Sequence, residues 1–316
     1  MSDRAAPSVA VLLPCYNEEV TVAKVVNDFR AALPDAEIYV FDNNSTDLTA
    51  QLAREAGAIV VPSPLQGKGY VVRHMFETVD ADVMIMADGD DTCPAEAAPE
   101  LLRALRESGA DMVVGMRLSR FDDGAFRPLN KFGNQLISRT ISLLFQARIS
   151  DVLSGYRVLT RQFARSLHLR SGGFDIETEL TLQALLNHSV IREVPVRYRS
   201  RPPGSLSKVN TVADGLRDLK AIFRIYKDGK PLAFFSLLAA LTFILGLIAG
   251  WFPLRDYLQT KAVNHVPSAI LAAALVITAA LFFGIGIILN VATRSRAEAQ
   301  ADSKRRRDPG NRHHSK

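Results

Sequence analysis

Short apolar runs alternate with longer amphipathic stretches over the first 115 residues, and the pattern then changes. Residues 9–13, 37–41, 58–61, 83–87 and 111–115 are compact apolar runs, as expected of strands buried on both faces. Between them, residues 18–33, a stretch ending near Ala56, and residues 68–79 and 95–108 have helical spacing. In the first of these, Val22, Val25, Val26 and Phe29 share one face. Strict strand–helix alternation predicts an α/β fold, Rossmann-like, with a mostly parallel sheet covered on both sides.

Beyond residue 115 the rhythm is helical. Residues 120–128 read as a loop, and 129–147 carry apolar residues at helical spacing with Lys131 and Arg139 on the polar face. That stripe suits a helix packed on the sheet and equally an amphipathic helix at a membrane surface. Residues 211–226 place Val212, Leu216, Leu219, Ile222, Phe223 and Tyr226 on one stripe, away from Arg217, Lys220 and Arg224. This predicts an interfacial helix. Residues 231–254 and 266–292 contain no charged side chain. Each exceeds the roughly 20 apolar residues that span a bilayer. The expected organisation is therefore an α/β domain (1–210), a juxtamembrane amphipathic helix (211–230), two transmembrane helices forming a hairpin (231–254 and 266–292), and a basic tail without regular structure (293–316).

Charge orients this arrangement. Arg217, Lys220, Arg224, Lys227 and Lys230 precede the first span, and Arg294, Arg296 and the run from Lys304 to Arg307 follow the second. The connecting loop has only Arg255 and Lys261. The positive-inside rule places the α/β domain and both ends in the cytoplasm, at the inner or plasma membrane. The polar start of the chain predicts no export of the first domain. A net charge of +5 fits attraction to anionic lipid. The basic residues cluster beside the spans without interleaved aromatics, so no nucleic-acid partner is expected. Cys15 and Cys93 lack metal-ligand spacing and a histidine partner, which argues against zinc and against a thiol nucleophile.

Four loops should meet at the carboxyl edge of the sheet, where open α/β sheets bind ligands. They are Pro14-Cys15-Tyr16-Asn17-Glu18-Glu19, Asp42-Asn43-Asn44-Ser45-Thr46-Asp47, Gln66-Gly67-Lys68-Gly69 and Asp88-Gly89-Asp90-Asp91. The third offers backbone amides and a cation to a diphosphate. The fourth offers hard oxygen ligands to a divalent cation that is also held by substrate phosphates.

These loops, with Val114-Gly115-Met116-Arg117, Ser154-Gly155-Tyr156-Arg157, Gly173-Phe174-Asp175-Ile176-Glu177-Thr178-Glu179 and Gly204-Ser205-Leu206-Ser207-Lys208, resemble the inverting family-two glycosyltransferases. Within them the chain is similar to the polyprenyl-phosphate branch, which includes dolichol-phosphate mannose synthases and bacterial polyprenyl-phosphate glucosyltransferases. The resemblance covers about residues 8–230 and implies a GT-A fold. It implies transfer of a sugar from a UDP- or GDP-linked donor to polyprenyl phosphate, undecaprenyl or dolichyl, with inversion. Pro14, Tyr16, Asn17, Glu18, Asp42, Lys68, Asp88 and Gly89 would bind the nucleotide sugar. Asp88 and Asp90 match the family's DxD and would hold Mg²⁺ or Mn²⁺, with Asp91 as a further ligand. Arg117, Arg127, Lys131, Ser207 and Lys208 would hold the lipid phosphate, and Arg117 counts with Asp88 and Asp90 among the catalytic residues. Arg157, Asp175 and Glu177 would bind sugar hydroxyls or support the site, with Arg157 and Asp175 as a candidate buried ion pair.

Three positions depart from the family. The usual Asp-Asp-Gly-Ser of the second loop is Asp42-Asn43-Asn44-Ser45, and Thr92 stands where the synthases often have Gln. A processive polysaccharide synthase would carry Gln-x-x-Arg-Trp before its later spans, yet the single tryptophan is Trp251, inside the first span. Other readings are an inactive membrane-anchored scaffold of the same fold and a transferase with another lipid acceptor. Two spans without intramembrane charge make no transport pathway. The hairpin leaves room for a homo-oligomer.

Overall fold

A computed structural model of the chain describes residues 7–117, 128–205 and 211–307, with side chains described except at 128–132, 211–214 and 294–307. It divides into two compact units, residues 1–222 and 223–316.

The first unit is built on seven strands: β1 (Val9–Cys15), β2 (Glu37–Asp42), β3 (Ile59–Pro62), β4 (Val83–Met86), β5 (Met112–Met116), β6 (Arg157–Thr160) and β7 (Ile191–Pro195). Their spatial order is β3-β2-β1-β4-β6-β5-β7. All ladders are parallel except the two made by β6. The five anticipated strands are present, and β6 and β7 are additional. Their runs, Arg-Val-Leu-Thr and Ile-Arg-Glu-Val-Pro, each include charged residues, so neither stands out as an apolar run. Helices α1 (Val22–Ala32), α2 (Thr49–Glu55), α3 (Lys68–Thr78), α4 (Ala98–Ser108), α5 (Pro128–Phe145), α6 (Arg161–Ser166) and α7 (Ile176–Leu186) follow in chain order. Alternate strand residues feed two cores, one around Val11, Leu13, Phe29, Ile85 and Leu101, the other around Leu12, Phe41, Met75, Met84 and Leu180. Burial on both faces explains why β1 and β4 read as continuous apolar runs.

The chain passes from β1 outward to β2 and β3, then returns to place β4 on the other side of β1. That reversal opens a crevice at the carboxyl ends of β1 and β4, the switch point at which α/β sheets receive ligands.

Helix α5 buries Ile137, Ile141 and Phe145 while Leu136 and Leu143 stay exposed, so its apolar positions are only partly covered. The last helices are α8 (Thr211–Gly229), α9 (Pro231–Thr260) and α10 (Val266–Arg307). Along α8, Leu216, Leu219 and Phe223 are exposed and Ile222 is buried, so the apolar stripe is only partly covered. In α9 and α10, 11% of the most apolar window is buried in each case. A core helix of a soluble domain would be largely covered, so these two have the length, composition and exposure of membrane spans. They pack through small residues: a Cβ at Gly246 would lie 3.2 Å from Val276, and one at Gly286 would lie 2.9 Å from Phe235. Both helices outrun the expected boundaries. The first continues to Thr260, and residues 293–307, expected to lack regular structure, continue α10. Good helix formers such as Ala297, Glu298, Ala299, Gln300 and Ala301 extend a helix that the apolar segment has already nucleated. Residues 308–316 lie outside the described part.

Candidate active site

Strand register brings the loops together. Cys15 stands beside Asp42, and Leu12 stands beside Met86, so the turns after β1, β2 and β4 leave the sheet at one edge. The first two turns are sewn to each other. The Asn17 amide N–H donates to Ser45 Oγ (2.9 Å), Asn17 Oδ1 accepts from the Thr46 N–H (2.8 Å), and the Glu18 N–H donates to Thr49 Oγ1 (2.7 Å). Asn17 thus shapes the loop through its own side chain. Tyr16, beside it, is 38% exposed. Pro14 lies within β1, next to Phe41. Asp42 Oδ1 is buried and has no hydrogen-bond partner among the described residues. An orphaned carboxylate oxygen in a crevice is costly unless a ligand completes it.

Lys68 opens α3 at the centre of the site. Its Nζ lies 2.6 Å from Asp88 Oδ1 and 2.6 Å from Glu177 Oε1. Burial works against the ammonium, but Asp88 and Glu177 outweigh it and hold the Lys68 pKa above its usual range. Burial also works against charge on Asp88, and Lys68 reverses the effect, keeping this carboxyl below the usual carboxylate range. The loop can sit here only because glycine flanks the lysine. A Cβ on Gly69 would fall 2.1 Å from the Ser171 carbonyl oxygen. A Cβ on Gly155 would fall 2.8 Å from Asp88 Oδ2. Ser171 is fixed in turn by its amide N–H, which donates to Glu179 Oε2 (2.7 Å).

The acidic turn is held from behind. Thr21 Oγ1 donates to the Gly89 carbonyl (2.7 Å), and Asp90 Oδ1 accepts from the Thr92 N–H (3.1 Å) and from its hydroxyl. Thr92, one of the departures from the family pattern, therefore orients Asp90. Burial, then repulsion from Asp88, pushes the Asp90 carboxyl up; Arg201, paired with its other oxygen, counters this. Arg201 also lies 3.9 Å from Glu18, which accepts a hydrogen bond from Ser205 Oγ (3.3 Å). Asp91 is in a left-handed conformation (φ 60°) and is engaged by Lys24 (2.9 Å) and Arg199 (3.1 Å). It belongs to an ion-pair network behind the turn and does not converge with Asp88 and Asp90.

Several anticipated residues occupy other roles. Arg117 forms a bidentate pair with buried Asp151 (2.9 Å for each contact), which also accepts from Asn134 Nδ2 of α5 (3.1 Å). Its fork is directed at a carboxylate of the same unit. Arg157 and Asp175 do not pair. The Arg157 guanidinium is fully buried and donates to the carbonyls of Val152, Ser154 and Glu177 and to Thr181 Oγ1, while Asp175 stands before the first turn of α7. Main-chain carbonyls satisfy its planar fork without a counter-charge, and burial pulls its pKa down to about 10. Arg127, Ser207, Lys208 and the side chain of Lys131 lie outside the described residues. Arg199 and Arg201 are the residues that sequence reasoning missed. Their signal was the alternation Arg197, Arg199, Arg201 just after β7, which aims cations at the acidic turn.

Among the described residues, no group of three or more His, Cys, Asp or Glu side chains is arranged to hold a metal ion alone. Asp88 and Asp90 are two hard-oxygen donors whose mutual repulsion a cation would relieve. This donor set fits Mg²⁺ or Mn²⁺ completed by phosphate oxygens and water.

A mostly parallel sheet that receives ligands at a switch-point crevice beside an acidic turn is the layout of the GT-A fold. The chain belongs to glycosyl transferase family 2, which it matches over residues 10–167. It is 33% identical over 283 residues to the glycosyltransferase AglJ of Haloferax volcanii, covering 89% of this chain and 91% of that protein. It is 30% identical over 226 residues to a dolichyl-phosphate hexose transferase of the same organism, covering 71% and 96%. Its fold is shared with glucosyl-3-phosphoglycerate synthase from Mycobacterium tuberculosis, solved with Mn²⁺, UDP and glucosyl-3-phosphoglycerate (TM-score 0.58, 21% identity, 69% of this chain and 80% of that one).

Proposed function

We propose that this glycosyltransferase moves a hexose from a nucleoside diphosphate donor to polyprenyl phosphate at the cytoplasmic face of a membrane, with inversion at the anomeric carbon. The observation that carries the reading is the Lys68 ammonium bridging Asp88 and Glu177, with the orphaned Asp42 oxygen at the same edge of the sheet. Together they offer a diphosphate a cation and offer a nucleoside a carboxylate acceptor. Relatives named for dolichyl-phosphate hexose transfer and for dolichol-phosphate mannose transfer support the acceptor class. The two apolar helices and the basic residues beside them support the membrane location.

Asp42, with Tyr16 and Glu18 nearby, would receive the nucleoside. Asp88 and Asp90 would hold Mg²⁺ or Mn²⁺ together with the diphosphate; the ion, when bound, neutralises charge growing on the leaving group. Arg201 would leave Asp90 as that carboxylate changes partner. Lys68 would remain between Asp88 and Glu177, keeping a positive charge next to the diphosphate at the moment of bond breaking. The acceptor is already an anion, so its attack needs positioning and screening more than proton removal. Glu177, engaged by Lys68, supports the cation and does not serve as a base. Lys131, Arg127, Ser207 and Lys208 are the proposed acceptor-phosphate contacts. Arg117 would contribute by holding Asp151 and, through Asn134, the helix that bears Lys131.

Purified full-length protein in detergent should convert one member of a UDP- and GDP-sugar panel, with undecaprenyl phosphate and Mn²⁺ or Mg²⁺, into a lipid-phosphate sugar. Asp90→Ala should abolish the product. A product formed on a different acceptor, or full activity in Asp90→Ala, would overturn the reading.

A further inference from the structure

The second loop departs from its family at two adjacent positions, with Asn43 and Asn44 in place of Asp and Gly, and both side chains do the same thing. Asn43 is buried. Its Nδ2 donates to the carbonyls of Ser63 (2.9 Å) and Leu65 (2.7 Å), and its Oδ1 accepts from the Gly67 N–H (2.8 Å) and from Gln66 Nε2 (3.4 Å). Asn44 Nδ2 donates to the carbonyl between them, that of Pro64 (2.8 Å). Three successive carbonyls of one loop are thus each met by a carboxamide from the neighbouring loop. The Asn43 main-chain N–H is anchored on the Cys15 carbonyl (2.8 Å), at the end of β1. Asn44 takes a left-handed conformation (φ 60°), which Asn tolerates better than most residues.

We propose that Asn43 and Asn44 are positioning residues: a carboxamide clamp that sets the Gln66-Gly67-Lys68-Gly69 loop, and through Gly67 the Lys68 ammonium, at the place of the donor diphosphate. The proposal rests on the donor reading above. The chemistry requires an amide at position 43. A carboxylate there could still accept from Gly67, but it would face the Ser63 and Leu65 carbonyls with lone pairs and leave both unsatisfied. The two departures therefore have one cause. The chain has exchanged a carboxylate that could touch the ligand for side chains that fix the loop touching it. Of the two acids that the family pattern places at 42 and 43, only Asp42 is then left to meet the nucleoside, and the Asp47 carboxylate is taken up by the Glu19 and Thr49 amides.

The test uses the full-length protein in detergent. Asn43→Asp, nearly isosteric, should speed hydrogen–deuterium exchange of residues 66–71 at least tenfold. It should also weaken binding of UDP or GDP with Mn²⁺, measured by calorimetry, at least fivefold. With a productive donor, KM should rise by a similar factor and kcat should change by less than threefold. Asn44→Gly, at an exposed position, should give the same pattern at smaller size and keeps the test open if the first variant fails to fold. Unchanged exchange in both variants would overturn the clamp. So would faster exchange with unaltered nucleotide affinity. A switch of preference between UDP and GDP without faster exchange would also overturn it, by making Asn43 a base contact. If the wild type binds neither nucleotide, the donor reading fails and the clamp loses its functional role, whereas the exchange data alone still report whether it holds the loop.

Discussion

Lys68 and Arg157 are both cations withdrawn from water, and Glu177 touches both, yet their partners differ in kind. Lys68 meets two carboxylates, those of Asp88 and Glu177. Arg157 meets the main-chain carbonyl of Glu177, those of Val152 and Ser154, and a hydroxyl. A carboxylate can exchange one cation for another, so the Lys68 cluster suits a place where ligands come and go. Main-chain carbonyls cannot leave, so Arg157 acts as a rivet between β6, the loop before it and α7. The lesson is general: the type of acceptor around a buried cation separates a reactive position from a structural one better than burial does.

Arg157→Met tests the structural side and carries the largest expected effect. It strands the buried carbonyls of Val152 and Ser154, while that of Glu177 keeps the Thr181 hydroxyl, at about 1–3 kcal/mol per unsatisfied group. Partial relaxation of the site should leave a net loss of about 4 kcal/mol, read as a fall in Tm of roughly 10 °C that neither Mn²⁺ nor nucleotide restores. A Tm within about 2 °C of wild type would break the contrast.

Lys68→Met tests the exchangeable side. The expected cost is about 100-fold in kcat/KM, equivalent to about 2.7 kcal/mol. In this variant Asp88 and Glu177 lose their shared cation, so added Mn²⁺ should raise Tm more than it does in the wild type. Equal responses to Mn²⁺ would count Lys68 as a rivet too.

Gly69→Ala sharpens the comparison at the loop that delivers the lysine. Its methyl group would meet the Ser171 carbonyl, which is backbone and cannot swing aside. Overpacking of this kind costs about 1–3 kcal/mol. Donor affinity should fall with stability, whereas Gly109→Ala, where a methyl meets nothing but the left-handed backbone (φ 61°) is strained, should lower stability and leave donor affinity intact.

The smallest effect is the pH response of a third buried cation and its acid. Burial works against charge on Asp151, but Arg117 outweighs it and holds this carboxyl below the usual range. The pair therefore contributes stability at pH values above the unfolded aspartate pKa of about 3.9. That contribution is lost as pH falls through the native value. Tm should be level near neutrality and decline below about pH 4; a flat profile down to pH 3 would show that the pair does not couple to folding.

Much of this architecture is legible in the chain. Five of the strands, the helices between them and the two long apolar helices follow from hydrophobic period and length, because those are local properties of a segment and its solvent. The acidic turn and the Gly67-Lys68-Gly69 loop are legible too, since residue types with few structural uses recur at strand ends. What the sequence could not show is pairing. Nothing local in Arg157 says that carbonyls, not Asp175, receive it, or that Arg201 reaches Asp90 and Asp91 turns to Lys24 and Arg199. Strands β6 and β7 belong to the same class, being short and partly charged and defined by the ladders they complete. The sequence by itself determined five of the seven strands, the helices between them, the two long apolar helices and which residue types gather at the sheet edge. Only the tertiary structure decided which acid meets which base, because such contacts join residues as distant in the chain as Glu18 and Arg201 and depend on geometry that no local pattern encodes.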